Sequence, residues 1–118
     1  MDNQYHSLLV NLLTKTRARQ VYWLPTSDSN QFIVTSGAVS VSLYSGFDEE
    51  QDNNYITLSI RNDKGVSIDS YHVSPGEEDW EIIDELFALA RRYANHVDET
   101  LDKLLKKLQS DQNFGEPF

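Results

Sequence analysis

Histidines stand at positions 6, 72 and 96, each in a different segment, so imidazole chemistry would need the fold to gather what the sequence scatters. No two share the i, i+4 spacing by which one helix face presents paired metal ligands. In "DSYH", Asp69 and His72 set a carboxylate near an imidazole. On a strand, though, residues three apart face opposite sides. "RRY" puts Arg91 and Arg92 side by side in an acidic stretch. Guanidinium groups there suit a carboxylate or phosphate, although solvated arginines with packed stems are the simpler expectation. Asp69, His72 and Arg91 are the residues through which a pocket between sheet and helices would bind a small molecule.

The segment "DEEQDNN", residues 48–54, spaces Asp48, Glu50, Asp52 and Asn54 like the first ligands of a calcium loop. Such a loop needs glycine at its sixth position and glutamate at its twelfth, where this chain has Asn53 and Ser59. An ordinary hairpin loop is expected. Cysteine is absent, which excludes disulfides, thiolate metal sites and thiol catalysis. No P-loop, GxGxxG or GxSxG is present. We therefore assign no catalytic residue, cofactor or metal site from sequence.

Charge narrows the partners. Nineteen acidic and ten basic residues among 118 give a net charge of −9, which repels nucleic acid and anionic membranes. The aromatics at 22, 23, 32, 44, 55 and 71 lack the basic groove of a single-strand binder, and cross-strand packing accounts for them. The first apolar run is too short to span a bilayer and carries polar residues that a signal peptide avoids. A soluble, cytoplasmic protein forming one domain over 1–118 is expected, with 109–118 as a flexible tail.

The elements follow from periodicity. Tyr5, Leu8, Leu9, Leu12, Leu13 and Thr16 recur at helical spacing over 4–18, with Asp2 or Asn3 as cap. Residues 20–73 switch to period two. Val39, Val41 and Leu43 point one way while Ser40, Ser42 and Tyr44 point the other, and Ile56, Leu58 and Ile60 repeat the pattern. "NDKG" supplies a hairpin turn. The result is an α+β sandwich: a meander of four or five antiparallel strands with an N-terminal helix and a long C-terminal helix on its dry face.

That last helix, starting in "SPGEEDW" with its acidic first turn, carries an apolar seam through Trp80, Ile83, Phe87, Ala90, Ala94, Val97, Leu101, Leu104 and Leu108. Unbroken over 77–108, it would be about 48 Å long, against roughly 35 Å for the domain. Up to Tyr93 the seam is broad, as a sheet-covering helix needs; beyond Asn95 only Leu105 widens it. Three covers for the second half compete: a break at "ANHVD" with Asp98 capping a helix that folds back, the first helix alongside, or a second copy. The heptad flanks do not supply the charge pairs of a parallel dimer.

The stretches "WLPTSDSNQF", "YITLSIRNDKG" and "LFALARRYANHVDETLDKLL", with the order of elements, resemble small bacterial α+β domains without a known activity. The resemblance implies an accessory or interaction module and brings no catalytic residue. A non-enzymatic protein-interaction module is the leading expectation, with Val97, Leu101, Leu104, Leu105 and Leu108 as its interface and itself or another protein as partner. The alternatives are the small-molecule sensor or enzyme described above, and an acidic inhibitor of a basic protein.

Overall fold

The periodic stretches fold where their apolar faces meet. In a computed structural model that describes residues 3–110 and Gly115, helix α1 (Asn3–Arg17) precedes strands β1 (Leu24–Pro25), β2 (Gln31–Ser36), β3 (Val39–Asp48), β4 (Asn53–Arg61) and β5 (Ser67–Val73). Helices α2 (Trp80–Ala94) and α3 (Val97–Ser110) complete the chain order. The strands pair antiparallel in the order β1-β2-β3-β4-β5. The expected α+β meander is therefore present. Strand β1 stops at Pro25, whose nitrogen has no hydrogen to donate.

Register explains the core. Phe32 lies opposite Leu43, Leu43 opposite Leu58, and Leu58 opposite Tyr71, which draws one row of large side chains across four strands. Helix α1 lays Tyr5, Leu9 and Leu13 against this face, and α2 adds Ile83, Leu86, Phe87, Ala90 and Ala94. Phe32 and Phe87 meet edge to face at 5.5 Å. Each fully buried Leu, Ile or Phe contributes about 1.5–3 kcal/mol. The helices are also tied to their surroundings: Arg17 donates two hydrogen bonds to Glu85, at 2.8 and 2.6 Å, and the buried Trp23 indole donates to Thr16 at 3.0 Å.

The opposite face of the sheet stays open. Thr57 and His72 hydrogen-bond across strands at 3.1 Å, as do Ser59 and Ser70. Tyr55 stacks toward His72 at 4.5 Å and covers Gly46, where a Cβ would overlap its ring. Ser42, in the central strand, is 2% exposed, so this face is less wet than simple alternation implies. The 48–54 loop is held by Asp48, whose carboxylate accepts from the Glu50 and Gln51 amides.

Two expectations need correction, and of the alternatives for 77–108 a break within "ANHVD" is the one observed. The second helix begins at Trp80, so Glu77, Glu78 and Asp79 form a turn ahead of it. There the Ser74 amide donates to the Glu77 carboxylate at 2.7 Å. The helix does not run unbroken over 77–108: it ends at Asn95, and His96 adopts φ 53° before α3 starts. Asn and His tolerate that left-handed step and are poor helix formers, which is why the break falls there. Gln109 and Ser110 extend α3 and so leave the expected tail. The remainder of that tail, Gly115 apart, lies outside the described residues, as does Asp2 as a cap.

Leu58 and Leu104 should respond oppositely to truncation. Leu58→Ala is expected to cost about 3 kcal/mol by urea denaturation, while Leu104→Ala, measured in dilute solution, shifts the midpoint negligibly. Equal losses would contradict this division between core and surface.

Candidate interaction surface

Helix α3 has an apolar side and no buried residue. Leu101, Leu104, Leu105 and Leu108 are 45%, 41%, 56% and 52% exposed, and Val97, next to the joint, is half-buried. The seam that α2 buries through Ala94 thus continues into solvent. The radius of gyration is 17.2 Å, above the roughly 13 Å of a compact chain this long, as a projecting helix requires.

A charge cluster fixes the direction of α3. Asp98, in its first turn, accepts from Arg92 Nε at 2.9 Å and Nη2 at 2.5 Å, and from Arg19 Nη2 at 2.8 Å. Arg19 itself sits left-handed after α1, with its guanidinium 4.7 Å from the centre of the Tyr93 ring. One carboxylate therefore joins the end of α1, the last turn of α2 and the start of α3. The hydrogen bonds from Arg92 and then Arg19 hold the Asp98 carboxyl below its ordinary value of 3.8. Beside this clamp, Tyr22, Leu24, Tyr93, His96 and Glu99 line an open cleft of about 270 Å³.

The residues expected to form a small-molecule site are not brought together. Asp69 lies on the helix-covered side of β5 and accepts from the Tyr5 hydroxyl. His72 is on the open side, bonded to Thr57. Arg91 donates to Asn30 at 2.9 Å and lies against the Phe87 ring. Its neighbour Arg92 is the arginine that engages a carboxylate, within the chain.

A second polar constellation had no signal in the sequence. Asp79, with a side chain 1% exposed and φ 73°, meets His6 Nδ1 at 2.5 Å and accepts from the Tyr71 hydroxyl at 2.9 Å. Tyr5 stacks on Tyr71 at 4.8 Å. A carboxylate orienting an imidazole is the arrangement of a general base. None of the four principal clefts, however, is lined by His6, Asp79 or Tyr71. The cluster fastens α1 and β5 to the turn before α2. Burial, followed by the bond to Asp79, pushes the Tyr71 hydroxyl up to about 12.

Among the described residues no group of three or more His, Asp or Glu is arranged to hold a metal ion, and no helix is long and apolar enough to cross a membrane. Comparison with protein-family models, with curated proteins and with solved structures finds no match.

Both clusters titrate in predictable directions. The lowered Asp98 value means its contribution is present above the ordinary carboxylate range and is lost as pH falls through the folded value. Asp98→Asn should imitate that loss at neutral pH: NMR order parameters of the first turn of α3 fall while the melting temperature barely moves. Unchanged order parameters would contradict the clamp. The raised Tyr71 value works the other way, with stability complete below the ordinary 10.0 and lost as pH climbs toward about 12. Tyr71→Phe should flatten the stability–pH curve in that window; a curve as steep as that of the unaltered chain contradicts the assignment.

Proposed function

We propose that this chain is a non-enzymatic protein-interaction module of the cytoplasm that self-associates through α3. The exposed row of leucines on a helix tethered by salt bridges to the domain carries the reading. Isolated helices of 14 residues are marginal in water, and most helical stability comes from packing an apolar face. Helix α3 packs against the domain only at its first turn, so a partner surface would supply the burial that its remaining length lacks.

A second copy fits this requirement because the face is self-similar: leucine meets leucine with no buried polar group to satisfy. The scatter of Asp69, His72 and Arg91 weighs against the sensor or enzyme alternative. The acidic residues are spread over loops and helices, and Arg17, Arg19 and Arg92 already pair with two of them, Glu85 and Asp98, which weighs against a basic target as the partner.

Light scattering after size exclusion, over a concentration series, tests the reading. The mass should rise from one chain toward two with concentration, and Leu101→Glu with Leu104→Glu should hold it at one without lowering the melting temperature of the domain. A single-chain mass at every concentration, or a dimer indifferent to both substitutions, would contradict it.

A further inference from the structure

Charge along α3 is divided by halves. Asp98, Glu99 and Asp102 occupy the first part, and Lys103, Lys106 and Lys107 the second. Two such helices laid parallel set acid against acid and base against base; laid antiparallel, each acidic half faces a basic one. The helix dipoles favour the same choice. A two-fold axis between Asp102 and Lys103 then puts Leu101 of each copy beside Leu104 of the other, and Leu108 beside Val97.

The direction of the leucine row adds a second element. Counting from Asp98, Leu101, Leu105 and Leu108 lie at i+3, i+7 and i+10, on the side of α3 through which Asp98 meets the domain. The row and the adjoining cleft thus form an inside corner. That cleft exposes Tyr22 at 79% and Leu24 at 56%, beside Tyr93. Four half-exposed leucines on about 21 Å of helix fall short of the about 1,000 Å² that a specific interface needs. The cleft supplies further apolar surface at the point where an antiparallel helix would end.

We infer that two copies pair their α3 helices antiparallel, each seating the C-terminal turn of its α3, with Leu108 and Lys107, at the Tyr22–Leu24–Tyr93 cleft of the other. With that axis Lys106 of the second copy lies level with Glu99, whose carboxylate is 3.8 Å from His96 and otherwise faces solvent. Asp98 is already occupied by two arginines, which leaves Glu99 as the counter-charge. This inference rests on the self-association proposed above and specifies its geometry.

The absence of cysteine makes the test clean, since each introduced thiol is the sole one in its chain. His96→Cys and Ser110→Cys chains are mixed and joined with a short bismaleimide. Antiparallel pairing gives the mixed 96–110 product in excess of both homodimers, and Leu24→Arg, on the otherwise unaltered chain, weakens association about tenfold. Dominant 110–110 product with no effect of Leu24→Arg overturns the geometry while leaving self-association standing. A chain that stays monomeric throughout overturns both.

Discussion

Asp98, gripped by Arg19 and Arg92, decides where the last helix points, and with it which leucines the domain covers. A helix continuing straight from α2 would keep its seam in line with Ala90 and Ala94. The left-handed His96 breaks that line, and Asp98 re-fastens the chain two residues later in a new direction. Because its three members come from just after α1, the last turn of α2 and the first turn of α3, the cluster couples the orientation of α3 to the packing of both sheet-covering helices. It is exposed, so its strength is modest and falls with salt.

The domain does not need α3 for its core. Sheet, α1 and α2 bury the large side chains among themselves, from Leu9 and Phe32 to Ile83 and Leu86. Polar ties close the corners: Arg17 to Glu85, Trp23 to Thr16, and Asp79 to His6 and Tyr71. The buried Asp79 costs desolvation energy, which its two hydrogen bonds offset, each roughly 1.5–3 kcal/mol for a charged acceptor. A core complete without α3 frees that helix to present its leucines outward.

Much of this was legible in the sequence, for a specific reason. Where burial follows a period, the pattern declares it: Tyr5, Leu9, Leu13 and Thr16 on α1, and Leu43, Ile56 and Leu58 on the sheet, occupy the faces their spacing indicates. The narrowing of the seam after Asn95 likewise foreshadowed a change of environment. Long-range polar partners carry no such mark. Arg19 and Asp98 are 79 residues apart, His6 and Asp79 73, and neither pair lies in a local motif. The acidic run before α2 read as a helical first turn by dipole reasoning, yet Asp79 is drawn into the interior by His6 and Tyr71, which delays the helix to Trp80. Asp69 and His72 looked adjacent in sequence and are separated by the sheet, as their odd spacing requires.

Amide hydrogen exchange at several protein concentrations distinguishes an α3 that takes its cover from a second copy from one covered by its own domain. Core amides in β3, β4 and α2 should exchange at rates independent of concentration, while amides over residues 101–108 exchange quickly in dilute solution and become protected as the protein is concentrated. Protection of 101–108 that equals the core at every concentration would mean the domain itself buries the leucine face, and the account would be wrong.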